Sequence, residues 1–235
     1  MRLEEILRDG FDKLELPLDE TALGRFRRYA ELLTEKNAVM NLTAIEGEED
    51  TARLHFLDCA ALLRLGELRG KSLIDVGTGA GFPGLVLKIA CPELELTLLD
   101  SLDKRIGFLR ECCETLELDG VRCVHARAEE APADFRGAFD AASSRAVARL
   151  RVLCELCLPL VKKGGVFLAM KGPDCREEAE EARDAIRLLG GRLEKIWTYR
   201  IPGTDVCHSV VVIRKTGDTP GKYPRPWAQI KKKPL

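Results

Sequence analysis

Apolar residues in the first 66 positions recur at helical spacing: Leu3, Ile6, Leu7, Phe11 and Leu14, then Leu23, Phe26, Ala30 and Leu33, then Leu54, Leu57, Ala61 and Leu65. Steps of three and four place such residues along one stripe, so the stretch reads as a run of helices. Breaks are expected at Pro17, from Asn37 to Thr43, and at Gly47, and Asp19 ahead of the second periodic run is a start signal. Asn41 and Thr43, and His55 and Asp58, are polar groups beside these core positions. By the usual exposure of such residues they read as turn or helix-surface features.

Past residue 70 the period changes. Short apolar runs at 73–76, 94–99, 121–125, 139–143 and 166–170 read as strands, with helical patterns over 102–116, 150–158 and 177–189. Strands alternating with helices give a parallel sheet. The last two runs, 193–200 and 208–214, have only a Pro202-Gly203 turn signal between them and no helix to carry a crossover, so they pair antiparallel. The expected fold is α/β: a Rossmann-like, mostly parallel sheet with a C-terminal antiparallel hairpin, preceded by a helical N-terminal extension. Its expected parts are a helical cap over 1–66, the sheet domain over 67–215 and a basic tail over 216–235.

The stretch KSLIDVGTGAGFPG at 71–84 joins the two patterns. A buried strand runs into glycines that permit turn angles and close approach to a ligand, and Pro83 suits the start of a helix because its missing N–H would be unbonded there. Two ligand classes use this arrangement. Gly79, Gly81 and Gly84 satisfy G-x-G-x-x-G, the dinucleotide spacing, whereas Asp75, Gly77, Gly79 and Gly81 form the acid-then-alternating-glycine pattern of S-adenosylmethionine (SAM) sites. A dinucleotide needs helix N–H groups for its pyrophosphate, and Pro83 removes one; SAM has no phosphate. A glycine turn that binds nothing has the same letters. Asp100, ending the next strand, is placed to accept bonds from ribose hydroxyls, which either ligand carries; it could equally cap the helix from 102. Ser101, beside it, joins the candidate cofactor set. The C-terminal hairpin favours the SAM alternative, since a dinucleotide dehydrogenase continues with further crossovers.

The formal charge is −1, yet residues 214–235 carry seven basic side chains and one acid, leaving −7 on the rest. A basic end on an acidic body suits a polyanionic partner, and it also describes a solubilising tail. Nine cysteines with no leader-like start point to a reducing cytosol, and no apolar run approaches a membrane span. Cys154 and Cys157 are spaced i and i+3 in an apolar helix and lack the second pair that zinc requires, so they read as core thiols and no metal is expected.

The stretches MNLTAI (40–45), HFLD (55–58), DVGTGAGFPG (75–84), LLDSLDKRIGFL (98–109), SRAVARL (144–150) and KGGVFLAMKG (163–172) stand in the order and spacing of the RsmG (GidB) family, which the chain resembles over almost its whole length. The resemblance implies a class I SAM-dependent methyltransferase acting in the cytoplasm as a monomer on 16S ribosomal RNA or the small ribosomal subunit, at N7 of guanine 527. It implies that Gly77 and Phe82 line the cofactor, that Ala128 and Glu129 lie at its adenine, and that Arg145 sits near its methionine end, where the target base arrives. An NAD-dependent oxidoreductase and a non-catalytic RNA-binding protein of this fold are the alternatives. Guanine N7 chemistry agrees with what is missing: there is no Pro-Cys pair for a cysteine nucleophile and no Pro-Pro for an exocyclic-amine loop. N7 offers its own lone pair and carries no proton, so no catalytic residue is assigned.

Overall fold

A computed structural model describes residues 3–145 and 147–235. Seven strands form one sheet: β1 (Ser72–Val76), β2 (Glu95–Asp100), β3 (Val121–His125), β4 (Phe139–Arg145), β5 (Val161–Lys171), β6 (Gly191–Arg200) and β7 (Cys207–Lys215), in spatial order β3-β2-β1-β4-β5-β7-β6. β3, β2, β1, β4 and β5 are mutually parallel, while β7 runs antiparallel to both β5 and β6. The strand order reverses beside β1, between β2 and β4. Open α/β sheets bind their ligands at such a reversal, outside the carboxyl ends of the strands.

The β1 residues Leu73, Ile74, Asp75 and Val76 are all buried, as a strand covered on both faces requires. One face packs the helices Gly84–Ala90 and Asp103–Thr115 together with the N-terminal helices Leu3–Lys13 and Glu20–Met40 and the helical stretch 48–65 in a single apolar cluster. The cap therefore shares its core with the sheet. Its aromatic rings form a chain towards the glycine loop: Phe11 on Phe26, Phe26 on Phe56, and Tyr29 on both Phe56 and Phe82, at centroid distances of 5.1–5.7 Å. Asp19 caps the second helix, accepting from Ala22 N at 2.7 Å. That helix runs through the expected break at Asn37 to Met40, where Asn41 takes the left-handed conformation (φ 49°) that ends it.

The other face carries Leu150–Cys157, the helices Arg176–Glu181 and Arg183–Leu188, and the C-terminal segment. The single helix expected over 177–189 is interrupted at Ala182, whose backbone flattens to ψ −5° while Ala179, Ala182 and Ile186 all stay buried. Cys154 and Cys157 lie in this core with no exposure, and burial pushes both thiols up.

The basic end is not a free arm. Tyr223 (6 % exposed) and Ile230 (0 %) are buried, and a helix forms over Trp227–Lys232. Each such side chain contributes on the order of 1.5–3 kcal/mol by leaving water. Arg225 makes a bidentate pair with Glu155, which is fully buried, at 2.7 and 2.6 Å. Arg136 donates to the carbonyls of Thr219, Pro220 and Tyr223. Arg225 is thus engaged inside the protein, and the positive charge left outside belongs chiefly to Lys222, Lys231, Lys232 and Lys233.

Candidate functional site

The glycine loop owes its shape to contacts made by Asp75 and by Tyr29, the second of which carries no signal in the sequence. Asp75 faces away from solvent: its Oδ2 accepts from Gly84 N at 3.0 Å and its Oδ1 from Ser143 Oγ at 2.8 Å. From the cap side, the Tyr29 hydroxyl donates to the Ala80 carbonyl at 2.5 Å. Gly81 (φ 105°) turns towards this contact, where a Cβ would fall 2.7 Å from Tyr29 Oη and 2.6 Å from a Leu85 methyl. Gly77 (φ 69°) runs beneath Val147, and a Cβ there would come within 2.7 Å of that side chain. Gly79 (φ 60°) faces open space.

Two cavities meet over this loop. One, of about 400 Å³, is lined by Gly77, Thr78, Gly79, Phe82, Asp100 and Ser101 below and by Thr43, His55, Arg105 and Arg145 above. The second, of about 240 Å³, shares Gly77, Asp100, Ser101 and Val147 and extends past Ala128 and Glu129 to Trp227 of the C-terminal helix. Eight of the ten expected residues are therefore brought together; Asp75 and Gly81 stand behind the loop and line neither cavity. Pro83 lies just before the helix that opens at Gly84.

Asp100 is 3 % exposed and holds the loop while facing the cavity. Its Oδ2 accepts from Gly79 N at 2.9 Å, its Oδ1 from Leu102 N at 2.9 Å, and Arg105 stands 3.5 Å away. Asp100 thus bonds the residue just ahead of the helix that starts at Asp103, not the helix itself, and it still lines the cavity, because a carboxylate offers about four lone-pair sites. Glu129 pairs with Arg127, whose guanidinium lies 5.3 Å from the Trp227 ring.

A third cavity, of about 550 Å³, opens beyond Arg145 and is lined by Thr43, Leu54, His55, Asp58, Met170, Gly172 and His208 among others. Thr43, His55 and Arg145 thus form the wall common to it and the first. Arg145 Nη1 donates to Asp58 Oδ2 (3.1 Å) and the Leu54 carbonyl (3.2 Å), and Nη2 donates to His55 Nδ1 (2.8 Å). Its guanidinium lies over the Phe82 ring at 4.8 Å, on which His55 also stacks at 4.2 Å. Asp58, wholly buried, accepts in addition from Tyr199 Oη at 2.7 Å and His208 Nδ1 at 2.8 Å. Burial, with the Arg145 charge second, takes His55 down to about 3, so its ring is neutral. The Asp58 bond raises His208.

The reading of His55 and Asp58 as helix-surface features is corrected here: they are 4 % and 0 % exposed. Their partner Arg145 lies 90 and 87 positions away, beyond the reach of any local pattern. The available signal was their position beside Leu54 and Leu57 on the apolar stripe. Ala146, in the SRA stretch, lies outside the described residues.

A pyrophosphate would need free N–H groups at the helix start. Gly84 N is spent on Asp75 and Leu85 N on the Gly81 carbonyl, while Pro83 has no N–H. The dinucleotide alternative therefore loses its anchor. For SAM the donor set fits: Asp100 and Glu129 could accept from ribose hydroxyls and an adenine amine, Arg105 and Arg145 could meet a carboxylate, and the glycine floor is one that a Cβ at Gly77 would disturb. The sheet, its reversal point and this acid-and-arginine cradle define a class I SAM-dependent methyltransferase. Solved structures agree on the fold: TrmN from Thermus thermophilus (TM-score 0.54, 23% identity, 68% of this chain and 48% of that one) and a SAM-dependent methyltransferase from Aquifex aeolicus (TM-score 0.54, 17% identity, 70% and 92%).

Within that class the chain belongs to the GidB family, rRNA small subunit methyltransferase G, which residues 22–203 match. The ribosomal RNA small subunit methyltransferases G of Alkaliphilus oremlandii and Acetivibrio thermocellus are 45% and 44% identical to it, each over the whole of this chain and at least 98% of their own. Family membership removes the oxidoreductase alternative.

Proposed function

We propose that this protein methylates N7 of guanine 527 in 16S ribosomal RNA of the small subunit, in the cytoplasm, with the nucleoside of SAM between Gly77, Asp100, Ser101, Ala128 and Glu129 and its methionine end towards Gly79, Phe82, Arg105 and Arg145. Asp75 and Gly81 shape the loop from behind. The observation that carries the reading is the chemistry of the wall between the first and third cavities. His55 Nδ1 is occupied by Arg145, and Asp58 is buried and accepts from Arg145, Tyr199 and His208. Neither acceptor is placed to remove a proton from an incoming nucleophile. Guanine N7 has no proton to lose.

When bound, SAM supplies a methyl group activated by its sulfonium. The chain's own work is then orientation and exclusion of water. Phe82, held under both Arg145 and His55, gives the wall a flat apolar base, and Arg145 is fixed in place by bonds to Asp58, His55 and Leu54. The third cavity, with Leu54 and Met170 on its walls, offers the apolar surroundings a purine needs. Lys222, Lys231, Lys232 and Lys233 remain available for RNA phosphates, which position a nucleic acid without reading its sequence.

The test is transfer of labelled methyl from SAM to purified small subunits that lack the modification. Label recovered in the RNA supports the reading. Label in ribosomal protein, or none, overturns it.

A further inference from the structure

Thr43 stands on the wall shared by the cofactor cavity and the third cavity, and its hydroxyl is held in one hydrogen-bonding role. Arg145 can only donate, so the His55 nitrogen it meets at 2.8 Å, Nδ1, must be bare. Burial and the Arg145 charge keep the ring neutral, so the single ring proton sits on Nε2. Nε2 lies 2.8 Å from Thr43 Oγ1 and therefore donates to it, and Ile45 N donates to the same oxygen at 3.0 Å. A hydroxyl oxygen has two lone pairs, and both are taken. Thr43 can then act only as a donor, and among the described residues no acceptor receives its proton. The backbone is fixed as well, since Thr43 N donates to Asn37 Oδ1 at 2.9 Å.

We propose that Thr43 is a specificity-determining residue of the base site, its hydroxyl donating to O6 of the target guanine while N7 is left free for the methyl group. This rests on the guanine reading given above. Guanine presents N7 and O6 as neighbouring acceptors, whereas adenine presents N7 beside an N6 amino donor. A hydroxyl that can only donate matches the first edge and sets donor against donor on the second. The chain from Arg145 through His55 thus turns a fixed positive charge into a preference for a carbonyl at position 6 of the purine.

The experiment uses the full-length protein with SAM and small subunits reconstituted with either guanine or 2-aminopurine at position 527; 2-aminopurine keeps N7 and lacks O6. Wild type is expected to favour guanine by about tenfold in kcat/KM, the scale of one hydrogen bond lost with its partner left bare. Thr43→Val should lower transfer to guanine by about that factor more than it lowers transfer to 2-aminopurine, and Thr43→Ser should restore the guanine preference. Thr43→Val slowing both bases by one factor would mark a merely structural role and overturn the proposal. Should that variant not fold, equal wild-type rates on the two bases overturn it and a guanine preference that Thr43→Ser preserves supports it. Methyl mapped away from guanine N7 would overturn the guanine reading together with this inference, whereas methyl on N7 with no effect of O6 would overturn the inference alone.

Discussion

Arg145 Nη1 reaches from the end of β4 to Asp58 Oδ2 in the helical cap at 3.1 Å, an ion pair whose acid is wholly buried and whose arginine side chain is 17 % exposed. Asp58 also receives Tyr199 and His208 from the C-terminal hairpin. One carboxylate therefore ties three parts of the chain together at the wall between two cavities. Removing one partner of a buried pair leaves the other charge without compensation, at a cost of about 3–5 kcal/mol. Asp58→Ala should lower stability by that amount in equilibrium denaturant unfolding. A loss below about 1 kcal/mol, the range of an exposed pair, would mean that Asp58 does not organise the wall.

His55 gives a second, pH-dependent outcome. Burial first, and the Arg145 charge next, lower it from 6.5 to about 3 in the folded protein. The unfolded chain takes up a proton that the folded chain refuses, so stability falls as pH drops from about 6.5 towards about 3. Between pH 7 and pH 5 the loss from this group amounts to about 2 kcal/mol, and His55→Gln should remove that part of the slope. His208 runs the other way: the Asp58 bond raises it, so its contribution is complete below 6.5 and fades as pH rises through its folded value. Parallel pH curves for wild type and His55→Gln would contradict the buried neutral ring.

Asp100 should contribute directly to SAM affinity. Asp100→Ala is expected to weaken binding by about 1.5–3 kcal/mol, the range for hydrogen bonds to a charged group, as read by calorimetric titration. Because Gly79 N and Leu102 N lose their acceptor as well, the unliganded protein should also melt earlier. Unchanged SAM affinity in a folded variant would remove Asp100 from the cofactor site.

Truncation after Lys215 separates the tail's two roles. From charge alone the tail reads as a segment for a polyanionic partner or as a solubilising end. Trp227, however, lines the cavity beside Ala128 and Glu129, and Tyr223 and Ile230 are buried against the sheet domain. The truncated protein should therefore lose stability and SAM affinity together, in addition to any loss of RNA affinity at low salt. Intact SAM binding would show that Trp227 is dispensable to the adenine end.

The sheet was legible because its signals are local. Runs of four to six residues announced β1 to β5, the longer runs at 193–200 and 208–214 with the Pro202-Gly203 turn announced the antiparallel hairpin, and β6 and β7 occur within two residues of their expected bounds. Gly77 and Asp100 line the cavities where a loop and a strand end placed them, whereas Glu129, which lines the second, was named only through the family resemblance. The wall was not legible. His55 and Asp58 acquire their meaning from Arg145, Tyr199 and His208, all distant in sequence, and a helical stripe does not say which polar members are buried. Asp75 shows the converse: its motif position suggested a ligand contact, yet its carboxylate is wholly buried behind the loop, bonded to Gly84 N and Ser143, and lines neither cavity. The tail's basic residues told of charge and not of Glu155, the buried acid that binds Arg225.

The central claim, methyl transfer to guanine N7 by orientation with no proton removed, is tested most directly at the modified base itself. Small subunits treated with this protein and SAM would be subjected to chain scission chemistry selective for 7-methylguanine, and the cleavage site read by primer extension. The account predicts one new cleavage, at guanine 527 of 16S ribosomal RNA. Methyl label that resists this scission, lying on an exocyclic amine, a ring carbon or a ribose, would contradict it.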